Sequence, residues 1–315
     1  MPMDACKGRF APSPTGRMHL GNIFTALISW LDAKSRGGTW LLRIEDLDTQ
    51  RSRYEYARLI EDDLSWLGLE WDEGGLDDTG DAAPYSQSRR SGIYAGCLSR
   101  LEATGFTYPC RCTRAGIMAA RAPHQRDGRV IYGGTCRPGI LPCHAPRPDY
   151  PHAVRLYVPD TDIVFTDCLR GRQHFNLARE CGDFILRRAD GAWAYQLAVV
   201  VDDALMGVTR VVRGCDLLLS AAQQIYLYGL LGFRAPEFAH VPLLCNGAGQ
   251  RLSKRDGALD MESLRRTHTP GQLVGRLAFM AGLTVSPEPC SPSDLVPLFS
   301  PECAGVLAAD SIQVG

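Results

Sequence analysis

The chain has 315 residues, of which 45% are hydrophobic and 22% are charged, so it is long enough for one or two globular domains. Its 34 Lys and Arg residues against 35 Asp and Glu residues give a net charge of -1, so global charge provides no argument for nucleic-acid binding. No apolar run approaches the length of a membrane span, and the first ten residues lack the apolar stretch of a secretory signal. We therefore expect a cytoplasmic protein without a membrane partner.

The first 50 residues predict a β-α-β unit. A short strand at 8–11 is followed by the proline-rich loop 12–16, a helix from Gly21 to about Ser35, and a second strand at 40–44. A connection of this length suits two parallel strands. We therefore predict the α/β class, with a Rossmann-type doubly wound parallel sheet, a metal-binding insertion and a short helical C-terminal region.

The distribution of charge indicates where the insertion lies. Residues 61–81 contain nine acidic and no basic residues, whereas residues 106–158 contain eight arginines and two aspartates. The basic segment is also rich in Pro and Gly and contains a cysteine cluster. We predict that 1–105 form the first half of the sheet domain, 106–190 the insertion, 191–245 the second half, and 246–315 a loop and a helical tail.

The second half of the chain gives fewer local signals. The apolar run 193–201 predicts a strand with which the chain re-enters the sheet, and a helix is predicted at 217–231. A glycine-rich loop follows at 246–249.

Two short motifs are suited to a nucleotide. In the first, His19, Gly21 and Asn22 lie where the proline-rich loop becomes a helix, and a helix N-terminus offers free backbone N–H groups to a phosphate. In the second, Lys254 lies in the basic segment 251–255, which can stabilise charge on a leaving pyrophosphate. Taken alone, each motif also has an ordinary explanation, as a helix cap or as a solvated basic loop.

Together the two motifs resemble the paired signatures of class I aminoacyl-tRNA synthetases. The stretches 8–16, 42–48 and 68–74, with shorter matches at 85–88 and 211–216, resemble the glutamyl/glutaminyl branch of that family. The resemblance covers about residues 8–260. It implies that His19 and Lys254 are catalytic. It also implies that these two residues bind ATP together with Gly21 and Asn22, and that Mg²⁺ accompanies the ATP.

The resemblance also implies a pocket for L-glutamate. Its residues would be Arg9, Phe10, Ala11, Pro12, Ser13, Glu45, Tyr195 and Arg213. The chemistry agrees, because a dicarboxylic amino acid needs fixed cations for its carboxylates and an anion for its ammonium group. Arg9 and Arg213 are suitable cations, and Glu45 is a suitable anion. An ordinary strand-edge ion pair would explain Arg9 or Glu45 alone.

Four of the twelve cysteines cluster between residues 110 and 143, and we interpret the scattered ones as reduced core residues. Zinc takes four N, S or O ligands tetrahedrally, and such a site could stabilise a small insertion. The resemblance implies one structural Zn²⁺ with the ligands Cys110, Cys112, Tyr132 and Cys136. Cys143 and His144 are alternatives for the fourth ligand.

Sixty residues follow Arg255, which leaves no room for the anticodon-binding region of a full glutamyl-tRNA synthetase. The resemblance therefore implies a shortened, monomeric paralogue that activates L-glutamate without tRNA and transfers it to the queuosine base in the anticodon of tRNA(Asp). Arg111, Arg114 and Arg137 of the basic insertion are expected to contact tRNA phosphates.

Three alternatives remain. The chain could charge the 3′ end of a tRNA with help from another chain, or pass the adenylate to a carrier protein. It could also be a regulator that binds without catalysis, which the intact His19, Glu45 and Lys254 disfavour.

Overall fold

The computed structural model describes residues 5–113, 115, 117, 131–138, 151–247, 249, 250, 252, 259–300 and 305–314. In these ranges the strands are β1 Lys7–Phe10, β2 Thr39–Leu42, β3 Glu73–Gly74, β4 Thr107–Cys110, β5 Ala153–Leu156, β6 Asp162–Asp167, β7 Gly171–Asn176, β8 Phe184–Arg187, β9 Arg210–Gly214, β10 Glu237–Val241, β11 Leu243–Cys245 and β12 Ser311–Gln313. The α-helices are α1 Leu20–Lys34, α2 Tyr54–Trp66, α3 Ser91–Ala103, α4 Leu177–Glu180, α5 Tyr195–Leu205, α6 Leu218–Leu231, α7 Met261–Thr267, α8 Pro270–Met280 and α9 Pro292–Leu295.

A parallel sheet of five strands lies at the centre, in the order β10-β9-β1-β2-β3. The predicted β-α-β unit is confirmed, because β1 and β2 pair in parallel and α1 connects them. Helix α1 begins after His19, whose side chain caps it, and the chain leaves the helix through Gly37 at a φ of 62°. The α/β class with a parallel sheet is therefore confirmed.

Helices cover both faces of the sheet. Successive residues of a strand point to opposite faces, and Trp40 and Leu42 belong to one hydrophobic cluster while Leu41 belongs to another. The first cluster contains residues of α1, α2, α7 and α8, and the second contains residues of α3, α5 and α6. This layering is what a doubly wound sheet requires.

The prediction of a strand at 193–201 is wrong. Residues Tyr195–Leu205 form helix α5, and the strand that re-enters the sheet is β9. The valines of this run favour a strand, but α5 contacts α3, α6 and β8, so that residues 197–203 are all buried and no polar stripe marks a helix. As a helix, this segment places Asp202 and Asp203 in the buried layer on the sheet.

The predicted insertion contains strands that its composition did not reveal. Strands β4, β5 and β8 form an antiparallel sheet, and β6 and β7 form a hairpin. The bounds 106–190, like the other domain bounds, remain predictions.

The C-terminal region contains the helices α7, α8 and α9. Leu273, Leu277 and Leu295 are buried in the same cluster as α1, so these helices pack on the main core. Strand β12, which was not predicted, pairs in parallel with β11, and the Val314 amide donates to the Cys245 carbonyl at 2.8 Å. Among the described residues, no helix has the length and apolar character needed to cross a membrane.

Replacing Asp202 with Ala should lower the free energy of unfolding by about 3–5 kcal/mol, because it leaves Arg90 buried without its carboxylate. Asp202 is fully buried and accepts hydrogen bonds from Arg90 Nε at 2.6 Å, Gln87 Nε2 at 2.8 Å and Tyr94 Oη at 2.8 Å. Tyr94→Phe removes one neutral donor and should cost about 1 kcal/mol. Urea denaturation measures both losses, and equal losses would contradict a dominant ion pair.

Candidate functional site

A cavity of about 480 Å³ lies at the carboxyl ends of β1 and β9. Strand β1 has β2 on one side and β9 on the other, and open α/β sheets bind ligands in the crevice where the strand order reverses. The predicted pocket residues that the structure describes all line this cavity: Arg9, Phe10, Ala11, Pro12, Ser13, His19, Gly21, Asn22, Glu45, Tyr195 and Arg213.

Three buried arginines supply positive charge beside the cavity. Arg9, Arg43 and Arg213 lie on the sheet face that α5 and α6 cover. Arg43 Nη1 donates to Asp203 Oδ1 at 2.6 Å, and its Nη2 donates to Glu45 Oε1 at 3.1 Å. Arg9 forms an ion pair with the same aspartate, with 3.6 Å between Nε and Oδ1.

Asp202 also lies 3.9 Å from Arg43 Nε and is paired with Arg90. With this pair included, the buried side chains carry four positive and three negative charges, which leaves one positive charge. Burial raises the pKa of Glu45, although Arg43 and Arg9 oppose the change. Burial also acts to raise the pKa of Asp203, but the same two arginines outweigh it and lower that pKa. A single excess positive charge suits a ligand with one net negative charge, such as a dicarboxylic amino acid.

Arg213 is held from three sides. Its Nε donates to His240 Nε2 at 3.0 Å, its Nη1 donates to Gln224 Oε1 at 2.8 Å, and its Nη2 donates to the Leu217 carbonyl at 3.3 Å. The Tyr195 hydroxyl lies 3.5 Å from Nη1. The contacts with Leu217 and Tyr195 are both long for a hydrogen bond, so a ligand can share either terminal nitrogen of Arg213.

His19 lies at the start of α1 and lines the same cavity. Its Nδ1 accepts from the Gly21 amide at 3.1 Å, so its proton is on Nε2, which is a donor. A Cβ at Gly21 would lie 3.1 Å from His19 Cε1, a tight contact that favours glycine at this position. Asn22 completes the cap by accepting from the His19 amide at 3.0 Å. A helix N-terminus beside a histidine donor is suited to phosphate.

Lys254 lies outside the described residues, but described residues on either side of it lie at or beside the cavity. Leu252 lines the cavity and its amide donates to the Leu244 carbonyl at 2.9 Å. At the other end, Asp260 forms a β-bridge with His19.

The cysteine cluster forms a second candidate site. The sulfur atoms of Cys110, Cys112 and Cys136 lie within 4.8 Å of one another. The Tyr132 hydroxyl lies 3.5 Å from Cys110 Sγ and 3.6 Å from Cys112 Sγ, and it accepts from the Cys136 amide at 2.8 Å. Burial raises the pKa of Cys112 to about 11, so a thiolate there needs a compensating positive charge. This donor set fits a metal ion. Cys143 and His144 lie outside the described residues.

The basic residues of the insertion have structural contacts of their own. Arg137 donates to both carboxylate oxygens of Asp183 at 2.6 Å, and its guanidinium lies 4.6 Å from the centre of the Tyr157 ring. Two side-chain nitrogens of Arg111 are buried, and Arg114 lies outside the described residues. Contacts of these arginines with tRNA phosphates remain a prediction.

Known proteins that are similar to this chain in sequence or structure are aminoacyl-tRNA synthetases. Residues 5–288 match the model of the family "tRNA synthetases class I (E and Q), catalytic domain". The chain is 49% identical to the glutamyl-Q tRNA(Asp) synthetase of Symbiobacterium thermophilum, over 93% of this chain and 91% of the relative. It is 47% identical to the glutamyl-Q tRNA(Asp) synthetase of Nitratidesulfovibrio vulgaris, over 93% of this chain and 92% of the relative. A crystal structure of a glutamate tRNA ligase from Elizabethkingia meningosepticum, in complex with its amino acid, is similar with a TM-score of 0.83 and 30% identity, over 98% of this chain and 67% of that chain.

The cavity lies where the strand order of a parallel sheet reverses, and the family model matches most of the chain. Together these two findings define a class I aminoacyl-tRNA synthetase of the glutamyl/glutaminyl type. The relatives narrow the class further. The chain belongs to the glutamyl-Q tRNA(Asp) synthetase family, and the predicted enzyme class is confirmed.

Sequence reasoning missed the residues that hold the arginines in place. Asp203 lies just beyond the apolar run 193–201 and Arg43 lies within the stretch 42–48, and the sequence predicts no role for either residue. His240 and Gln224 carried no local signal, because their roles depend on the packing of β9, β10 and α6. A charged pair directly after a long apolar run, as at Asp202 and Asp203, is the signal that could have been used.

We expect the thiol cluster to bind one soft divalent ion. Titration with Co²⁺ should produce thiolate-to-cobalt absorption, and Cys136→Ser should weaken binding at least about tenfold. Cys97→Ser is the matched control, because Cys97 is a buried thiol on α3 that is not part of the cluster. Equal binding by the two variants would contradict a site at the cluster.

Proposed function

We propose that the chain activates L-glutamate with ATP, without tRNA, and transfers the glutamyl group to the queuosine base in the anticodon of tRNA(Asp). The observation that carries this proposal is a cavity that joins buried arginines to a helix start suited to phosphate, in a chain 45–49% identical to glutamyl-Q tRNA(Asp) synthetases.

The amino acid would occupy the end of the cavity near the arginines. Arg9 and Arg213 would receive its carboxylates, Glu45 its ammonium group, and the Tyr195 hydroxyl would add a hydrogen bond. The excess positive charge of the cluster supports this, because glutamate carries one net negative charge at neutral pH. Burial of the arginines strengthens these interactions by lowering the local dielectric constant.

ATP would lie along the start of α1. An oxygen of the glutamate α-carboxylate attacks the α-phosphorus, the bond to the bridging oxygen breaks, and pyrophosphate leaves. His19 Nε2 and the N-terminal amides of α1 stabilise charge on the phosphates, and Lys254 stabilises the leaving pyrophosphate. Mg²⁺ bound with ATP supplies further charge neutralisation.

A second cavity supports the transfer step. It has a volume of about 490 Å³ and shares Ser13, Thr15, Glu45 and Tyr195 with the first cavity. An acceptor placed there would lie beside the glutamyl end of the adenylate, where its hydroxyl attacks the carbonyl carbon and AMP leaves. Trp193 lines this cavity and offers a ring on which a base can stack.

We also propose one structural Zn²⁺ at the cysteine cluster, held by Cys110, Cys112, Cys136 and Tyr132. Three thiols and a phenol in mutual contact support this assignment. Cys143 and His144 remain alternatives to Tyr132.

The destination of radiolabelled glutamate, incubated with ATP and total tRNA, tests the transfer. We expect label on the anticodon fragment, and only in tRNA that contains queuosine. Label on the terminal adenosine would instead support charging of the 3′ end, the reaction for which the similarity to glutamate tRNA ligases argues. Label on a carrier protein would contradict both.

Lys254→Ala should lower glutamate-dependent pyrophosphate exchange, measured without tRNA, at least about 100-fold, because it removes a cation from the developing charge. Lys34→Ala is the control, since Lys34 pairs with Asp72 at the surface and should leave exchange unchanged. Unaltered exchange in Lys254→Ala would refute the role of the loop.

A further inference from the structure

A buried chain of three side chains ends at the guanidinium of Arg213. Asp167 Oδ2 lies 2.6 Å from His240 Nδ1, and His240 Nε2 lies 3.0 Å from Arg213 Nε. The exposed fractions of Asp167, His240 and Arg213 are 1%, 0% and 4%. We propose that Asp167 and His240 are positioning residues that fix the orientation of Arg213 for a ligand carboxylate, an inference that rests on the proposed function.

The arginine determines which ring nitrogen of His240 carries a proton. A guanidinium can only donate, so His240 Nε2 must accept from Arg213 Nε and cannot itself be protonated. The proton is therefore on Nδ1, which donates to the Asp167 carboxylate. If the imidazole were charged, its Nε2–H would face the Nε–H of Arg213, and two positively charged groups would lie in contact. Burial, together with the nearby arginine, lowers the pKa of His240 to about 4, in agreement with a neutral ring.

Asp167 is itself held in the acceptor state. Its Oδ1 accepts from the backbone amides of Leu169 and Arg170, each at 3.0 Å. The hydrogen bond from His240 and these amides outweigh burial and lower the pKa of Asp167. A carboxylate that remains ionised keeps the proton of His240 on Nδ1, and so keeps Nε2 available to the arginine.

The backbone fixes the position of this chain relative to the sheet. His240 on β10 is the register partner of Arg213 on β9, so their side chains lie on the same face. The hairpin β6–β7 brings Asp167 to this edge, where the Cys168 amide donates to the Phe238 carbonyl at 2.8 Å and Arg170 Nε donates to the His240 carbonyl at 2.9 Å. The hairpin thereby connects the antiparallel part of the chain to the amino-acid end of the cavity.

Pyrophosphate exchange measured against both substrates tests the proposal. In His240→Leu, Arg213 loses its Nε acceptor, and the KM for glutamate should rise at least about tenfold while the KM for ATP changes less than about twofold. In His240→Gln, the amide oxygen still accepts from Arg213 and the amide nitrogen donates to Asp167. This variant should remain within about threefold of the wild-type KM for glutamate.

Asp167→Asn and Asp32→Asn form a matched pair. Both aspartates are buried and anchor a β9 arginine, but Asp32 binds Arg210 at the opposite end of the strand, at 2.8 Å. Asp167→Asn should raise the KM for glutamate, since an amide no longer fixes the tautomer of His240. Asp32→Asn should lower the melting temperature without changing that KM. An equal effect of the two variants would reduce Asp167 to a structural residue and overturn the proposal.

Nitrogen-15 NMR of the imidazole gives a readout that does not depend on turnover. The wild-type chain should show His240 as the neutral tautomer with its proton on Nδ1, and a proton on Nε2 or a charged ring at pH 7 would overturn the proposal. The two failures are distinguishable. A wild-type chain without glutamate-dependent exchange would contradict the proposed function, whereas an active wild type whose His240→Leu variant keeps its KM for glutamate would contradict the positioning role alone.

Discussion

Three guanidinium groups buried on one face of the sheet are the constraint on which the rest of the structure depends. Moving an ionised side chain out of water costs several kcal/mol, so each arginine needs compensation that the strands themselves do not contain. Helix α5 supplies it to Arg9 and Arg43 through Asp203. The docking of α5 on this face is therefore an electrostatic requirement as well as a result of its apolar residues.

The three arginines are compensated unequally, and the difference indicates how the site works. Arg9 and Arg43 share a carboxylate, whereas the hydrogen-bond partners that the described residues give Arg213 are all neutral. Burial, with a further contribution from Arg9, lowers the pKa of Arg213. A carboxylate ligand would relieve that destabilisation, so part of its binding energy comes from a charge that the fold leaves without a direct counterion.

Local signals in the sequence account for what could be predicted. The prolines at 12 and 14, the cap at His19 and the glycine at 21 define the first β-α-β unit within a short stretch, and family motifs identify most of the cavity residues. The assignment of α5 failed because a helix buried on all sides has no amphipathic period. The contact between His240 and Asp167 spans 73 residues and depends on how the β6–β7 hairpin packs against β10, which no local pattern encodes.

The pairing of β11 with β12 affects the order in which the site can be completed. Leu243 and Leu244 line the cavity, and their strand partners are Ser311 and Ile312. Residues from β1 to the start of α1 also line the cavity, and they precede β12 in the chain. Because synthesis proceeds from the N-terminus, the central sheet can form well before Leu243 and Leu244 obtain their partner strand. The part of the cavity that contains Leu243 and Leu244 is therefore completed after the part that β1 and α1 form.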